Sequence, residues 1–284
     1  MHVQVTSDPA AFSRLVFPFL QKDPVLNTII LSNVRERAVG IRPADDVPPY
    51  FVSVHDPDVI GVAMRTQGRG VYLGSLRADL VDVVADQYLE LYDGVASEGL
   101  YDEAVPGGVA GEAAAAQRFA DRWCERRGGR AQEAMRTRLH KLITHTPLTA
   151  EAGTARLMRA EDADLITDWG QAGFPELRGS HDWAAQRLAD ETMWIWEVDG
   201  EPVSMVGYHM PIFGVCRVGP VYTPEMHRRR GYAGALTSRV TAEILAQSNL
   251  ACLYTDLANP TSNKIYAQIG YEPVADFVVL EYTA

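Results

Sequence analysis

The sequence predicts an α/β (α+β) protein in which a mixed, mostly antiparallel sheet is flanked by helices. Three observations carry that prediction. The chain has 284 residues, more than one ordinary core needs and suited to two domains of about 140 each. Residues 192–282 read as strand, strand, strand, helix, strand, helix, strand. Within them, Asp199-Gly200 joins two alternating runs, as a two-residue hairpin turn requires.

The elements follow in order. In the first half PYFVSVHD, DVIGVAM and VYLGSL are strand-like, and helices are expected around Leu80 to Leu91 and Glu112 to Arg126. Arg65-Thr66-Gln67-Gly68-Arg69-Gly70 lies between two strand-like runs and reads as a hairpin turn. The polar, small-residue stretch Thr144 to Gly153, with Pro147 inside it, suggests a domain boundary near 150, giving domains 1–150 and 151–284.

In the second half TMWIWEVDGEPVSMVGYHM forms the hairpin, and VCRVGPVYTPE follows with Gly219-Pro220 in its middle. Proline donates no ladder hydrogen bond, so a strand holding one lies at an edge, at a bulge, or beside a neighbour that has splayed away. Tyr232, Leu236, Val240 and Ile244 recur every four residues and predict a helix from Gly231 to Gln247. LACLYTDLA is then a strand, TSNKIYAQI a helix stopped by Gly270, and FVVLEY the last strand.

Composition narrows the function classes. With 47% hydrophobic and 22% charged residues, the chain is globular rather than disordered or fibrous. No apolar run reaches the roughly 18 residues of a membrane helix, and the N-terminus lacks the pattern of a signal peptide, so a cytoplasmic protein is expected. Cys124, Cys216 and Cys252 fit neither a disulfide framework nor a metal site; they read as buried small residues, and no metal is expected. The net charge is 26 − 37 = −11, which disfavours nucleic acid and anionic membrane as partners. The C-terminal half carries most of it: residues 151–284 hold 10 Lys+Arg against 18 Asp+Glu, or −8. Arg228, Arg229 and Arg230 stand out against that background and either meet a local anion or form a solvated turn.

The segment RRRGYAGAL, Arg228 to Leu236, lies between a strand and a helix. Gly231, Ala233 and Gly234 leave the backbone uncluttered, so the unpaired N–H groups of the first helical turn can converge on a diphosphate. It matches neither the phosphate loop of nucleotide hydrolases nor the glycine pattern of dinucleotide folds.

This segment resembles the coenzyme A pyrophosphate loop, Arg/Gln-x-x-Gly-x-Gly/Ala, of the GNAT superfamily of N-acetyltransferases, with Arg228, Gly231 and Ala233 in the matching places. The resemblance extends to ANPTSNKIYAQIGYEPV, Ala258 to Val274, and covers about residues 154–284. It implies a GNAT fold with acetyl-CoA as co-substrate. Arg228, Arg229, Arg230, Gly231, Tyr232, Ala233 and Gly234 then form the cofactor turn, and Val221, Tyr222 and Thr223 offer backbone groups to the pantetheine arm beside a splayed strand. Asn259 is either a coenzyme contact or a helix N-cap, and Asn263 lines the acyl pocket or is simply solvated. Tyr266 lies beside the thioester sulfur, unless it is a core aromatic. The first half looks like a degenerate copy, making two tandem GNAT-like domains, in which residues 104–123 hold the loop-to-helix place; a simple structural domain is the other reading.

Acetyl transfer from a thioester to an amine needs a proton donor for the departing sulfur and a base for the amine. Tyr266 would be the donor. Some members of the family place a glutamate five positions ahead of the asparagine, where this chain has Tyr254. Asp256, two residues on and on the same side of the strand, is a substitute; Glu197, Glu191 and His209 are further candidates. The acceptor is expected to be an amine of a small molecule or peptide, met partly by Gly170 to Trp183. A noncatalytic acyl-CoA-binding or sensing protein is the alternative. The acceptor's identity, the acyl length and the oligomeric state are not written in the sequence.

Overall fold

A computed structural model describes residues 1–42, 47–97, 106–174 and 183–283, the side chains of 94–97 excepted. The chain divides into two compact units, Met1–Arg138 with Ala275–Ala284, and Leu139–Val274. The division differs from a cut near 150. It falls inside two 13-residue strands, β6 and β12 below, and no glycine- or proline-rich linker marks it. Residues 143–153 belong to the second unit, and the last ten residues return to the first.

The first unit contains β1 (His2–Thr6), α1 (Pro9–Leu20), α2 (Thr28–Ala38), β2 (Tyr50–His55), β3 (Val59–Arg65), β4 (Val71–Leu76), α3 (Val81–Ser97), β5 (Gly108–Glu112), α4 (Ala113–Arg127) and most of β6 (Arg130–Leu142). Strands β1 to β4 pair antiparallel in sequence, and β4 pairs parallel with β5. Residues 65–70 make the hairpin turn between β3 and β4, with Gly68 at φ 67°. One core cluster is built around Tyr88, Tyr92, Phe119 and Trp123, and α1 and α2 bury a further set, Phe12, Val16, Leu20, Ile30, Leu31 and Val34, outside it.

The second unit contains β7 (Thr154–Leu157), α5 (Ala163–Gly173), α6 (Trp183–Ala189), β8 (Met193–Val198), β9 (Glu201–Tyr208), β10 (Val215–Tyr222), α7 (Tyr232–Ala246), β11 (Leu250–Asp256), α8 (Pro260–Ile269) and the start of β12 (Tyr271–Thr283). Its strands lie in the order β7-β8-β9-β10-β11. Asp199 and Gly200, at φ 51° and 84°, turn the β8–β9 hairpin. Positive φ at both positions gives the twist that antiparallel strands need. The four-residue repeat holds: Leu236, Val240 and Ile244 are wholly buried and Tyr232 nearly so, setting α7 on the sheet. Each such aliphatic side chain contributes roughly 1.5–3 kcal/mol on burial.

The ten elements of each half come in the same order: strand, two helices, three strands, helix, strand, helix, strand. The expected correspondence is shifted, however. Residues 108–112 form strand β5 and run directly into α4. The loop-to-helix place in the first unit is instead Arg77–Leu80, between β4 and α3. The first 38 residues, not resolved into elements by their sequence, supply the opening strand and two helices. Among the described residues no helix is long and apolar enough to cross a membrane.

Candidate functional site

Strand β10 runs parallel to β11, paired from Val215↔Leu250 to Val218↔Leu253. The pairing stops there, although β10 continues to Tyr222 and β11 to Asp256. On the other side β10 stays joined to β9, with a bulge: Val218 pairs with Tyr208 and the next pair is Val221↔Val206. Gly219 and Pro220 occupy the bulge, and a Cβ built on Gly219 would meet nothing within 4 Å. A bulge bends its strand. Here it coincides with the point where β10 parts from β11, leaving the β11-facing edge of residues 219–222 without a strand partner.

The turn after β10 begins with a short 3₁₀ turn, Glu225–His227. Gly231, at φ 80°, caps α7 in the left-handed conformation that glycine adopts without steric cost. The first helical bond runs from the Ala235 N–H to the Gly231 carbonyl at 3.0 Å. The N–H groups of Tyr232, Ala233 and Gly234 precede it and have no acceptor within the helix. No acidic residue stands in that first turn. Arg228, Arg229 and Arg230 are exposed, and none forms an ion pair among the described residues. The positive end of the helix and three unneutralised guanidinium groups therefore share one corner.

Two residues do less for a ligand than their sequence positions suggest. Arg228 Nε donates to the Thr223 carbonyl at 3.0 Å, and the Thr223 hydroxyl is bonded to Ser204 Oγ at 2.8 Å. The Thr223 carbonyl and hydroxyl are thus engaged within the protein. Ser204, fully buried on β9, also donates to the Tyr222 carbonyl at 3.1 Å. Its role was not read from the sequence, though a serine inside the apolar run VSMVG was the available signal. Gly234 also lets α8 approach, since a Cβ there would sit 3.3 Å from Ile265 Cγ2.

At the far end, Asn259 caps α8, its Oδ1 accepting the Ser262 N–H at 3.1 Å. Its Nδ2 keeps both donors for another partner. Asn263 is committed more fully. Its Nδ2 donates to the carbonyls of Asp256 at 3.1 Å and Asn259 at 2.8 Å, and its Oδ1 accepts from Thr255 Oγ1 at 2.6 Å. It ties the end of β11 to the start of α8, with its amide spent on neighbouring protein groups. Asp256 is exposed, and its Oδ1 accepts the Ala258 N–H at 2.8 Å.

Tyr266 is buried in the core cluster that holds α7 and α8 on the sheet, edge-on to Tyr271 at 6.2 Å. Its hydroxyl has no hydrogen-bond partner among the described residues, yet is not sealed from solvent. Burial pushes its pKa up to about 12. It therefore remains a protonated donor with no internal acceptor.

The other base candidates are engaged. Glu197 accepts from Arg156 Nε at 2.6 Å, and the same guanidinium binds Asp162 at 2.7 Å, so Glu197 belongs to a half-buried ion-pair cluster. His209 Nε2 faces Arg217 Nη2 at 3.2 Å and Arg187 Nη2 at 3.4 Å, which occupies its lone pair. Glu191 is exposed in the turn before β8, at φ 53°. Of the stretch Gly170 to Trp183, residues 175–182 lie outside the described residues. Among the described residues no His, Cys, Asp and Glu cluster could hold a metal ion.

Comparison with known proteins places these features in a fold. Residues 199–278 match the family described as FR47-like protein. No curated protein matches the chain by sequence. The chain is similar in structure to a GNAT-family acetyltransferase from Colwellia psychrerythraea, with a TM-score of 0.62 at 10% identity over 100% of both chains. It is similar to a GCN5-related N-acetyltransferase from Sphaerobacter thermophilus, with a TM-score of 0.64 at 15% identity over 98% of this chain and 94% of that one. A tandem GNAT protein from the clavulanic acid biosynthesis pathway gives 0.59 at 12% identity over 98% of each chain. The GNAT resemblance read from the two C-terminal motifs is thus matched by the fold, and the tandem arrangement by a solved tandem protein.

Proposed function

We propose that the chain is an acetyl-CoA-dependent N-acetyltransferase, acting from the second unit on an amine of a small molecule or peptide, in the cytoplasm. The observation that carries the reading is the opening between β10 and β11 beyond Val218 and Leu253, adjoining the Gly231 turn. The residues fit a thiol-ended cofactor with a diphosphate. The N–H groups of Tyr232, Ala233 and Gly234 would hold the phosphates together with Arg229 and Arg230. The unpaired edge of β10 at Val221 and Tyr222 would take the arm as a substitute strand. When bound, acetyl-CoA supplies an acetyl group activated as a thioester.

Tyr266 holds its proton at neutral pH and is suited to donate a hydrogen bond to a developing anion. Full transfer to a thiolate of pKa about 8.5 from a phenol near 12 would run uphill by about 5 kcal/mol, so donation without transfer is the role that burial leaves it. Asp256 is the carboxylate that remains without a charge partner near the end of β11, and it would accept the amine proton directly or through water. The noncatalytic alternative draws its support from Tyr254, which stands where some members of the resembled family have a glutamate.

One measurement tests the site and a second separates the readings. Calorimetry with acetyl-CoA tests the site: binding that Gly231→Trp leaves unaltered refutes the placement. Release of free thiol with a panel of amines tests catalysis. Binding without release for any amine favours the sensing protein.

A further inference from the structure

We propose that the second unit carries a binding site for a small apolar carboxylate, in a cavity between residues 145–155, β8 and α7. The cavity has a volume of about 490 Å³ and is lined by Trp196, Ala235 and Ala242, with His145, Ser238 and Arg239 as its principal polar groups. Alanine at two positions on one face of α7 leaves the space that larger side chains would fill. The Trp196 indole is fixed by its Nε1–H, which donates to the Ala152 carbonyl at 3.0 Å.

The polar groups select the ligand's charge. The lining contains no aspartate or glutamate, in a half of the chain that carries −8, so a cation has no counter-charge there. Arg239 spans the Trp194 ring at 5.2 Å and forms an i,i+4 ion pair with Glu243 through Nη2 alone, at 3.3 Å, at a solvent-exposed position where such a pair is worth about 0.3–0.5 kcal/mol. A guanidinium has five N–H donors in a planar fork, and the remaining donors find no acceptor among the described residues. The Ser238 hydroxyl accepts the Leu148 N–H at 2.9 Å and is bonded to His145 Nε2 at 2.9 Å, which fixes the imidazole at the wall. One guanidinium and one imidazole beside an indole and two methyl groups match a monoanion with an apolar body, rather than a phosphate dianion. The site uses no residue of the β10–β11 opening or of the arginine turn, and it stands independently of the acyltransferase reading.

The test is calorimetric titration of the full chain with benzoate, hydrocinnamate, indoleacetate and octanoate, and with hydrocinnamyl alcohol as a neutral counterpart. At least one acid is expected to bind saturably, one per chain, with the alcohol and the Arg239→Gln variant each weaker by about tenfold or more, the value of one charge-assisted hydrogen bond. Ala242→Phe is expected to abolish binding by filling the cavity. Should that variant fail to fold, Arg239→Gln, at an exposed position, still decides. The assignment is overturned if none of the four acids saturates, or if acid and alcohol bind alike. It is equally overturned if Arg239→Gln binds like the parent, or if Arg229→Gln with Arg230→Gln removes the binding, which would move the acid to the turn.

Discussion

Tyr266→Phe separates a catalytic hydroxyl from a core ring, because the structure gives the two roles opposite consequences. The hydroxyl makes no hydrogen bond among the described residues, so its removal costs the fold nothing and spares the desolvation of a polar group. Stability should be unchanged or higher by about 1 kcal/mol. As a donor to a developing thiolate, the same hydroxyl is worth about 1.5–3 kcal/mol, or roughly ten- to hundredfold in rate. Steady-state thiol release should show kcat lowered by that factor with KM for acetyl-CoA unchanged, while the thermal midpoint holds or rises. Since burial raises the pKa to about 12, Tyr266 should add no descending limb to the kcat profile between about pH 7 and pH 9. Parental kcat in a stable Tyr266→Phe variant would reduce Tyr266 to packing.

Gly231→Ala tests the turn: a Cβ has room, its nearest neighbour being Ala150 Cβ at 3.9 Å, so the cost is the left-handed backbone alone, about 1–2 kcal/mol. Urea denaturation should show that loss alongside weaker acetyl-CoA binding, and full stability would contradict the geometry. Asn263→Ala removes three hydrogen bonds at the β11–α8 junction and should destabilise by roughly 1–3 kcal/mol; a stable variant with altered acyl preference would return Asn263 to the pocket. In the first unit His55 stacks on His2 at 4.7 Å, and burial, then the neighbouring His2, lowers its pKa from 6.5. A depressed pKa means the unfolded chain takes up the proton first, so stability is full above about 6.5 and falls as pH drops toward and through the folded value. Denaturation at several pH values should show that decline, and His55→Gln should flatten it; an unchanged slope in the variant would assign the decline elsewhere.

Much of the second unit was legible because its signals are local. Asp199-Gly200 specifies a turn by backbone preference, and the four-residue repeat of α7 marks one buried face. Gly219-Pro220 signalled a break in pairing without saying on which side, because a proline reports only its own missing donor. What was illegible depends on partners distant in sequence. Glu197 looks like a free carboxylate until Arg156, 41 residues earlier, is brought beside it. The unit boundary was hidden for a similar reason: β6 and β12 are continuous strands, and no break in composition marks a division that falls within them. Asn263 was ambiguous because an amide that bonds the backbone has the same spacing as one that faces a pocket.

The cofactor is proposed for the second unit alone although both halves repeat the same order of elements, and the two helix N-termini supply a physical reason for that asymmetry. In the first unit α3 follows β4 through Arg77–Leu80, with no glycine in the turn and with Leu80 buried. Asp79 and Asp82 already stand at that N-terminus. Arg77 binds Asp79 and Arg118 binds Asp82 at 2.7 Å, so the local cations are spent on the protein's own carboxylates. The β4–β5 pairing ends at Tyr72↔Ala110 although β4 runs on to Leu76, so an early end to pairing is common to both units and the charge at the helix N-terminus is what differs. A diphosphate would meet like charge there. The second unit reverses the charge condition, with three exposed arginines that form no ion pair among the described residues and no acid in the first turn of α7. Acetyl-CoA should accordingly bind with a stoichiometry of one per chain in calorimetry, and a second equivalent of comparable affinity would show that the carboxylates at α3 do not exclude it.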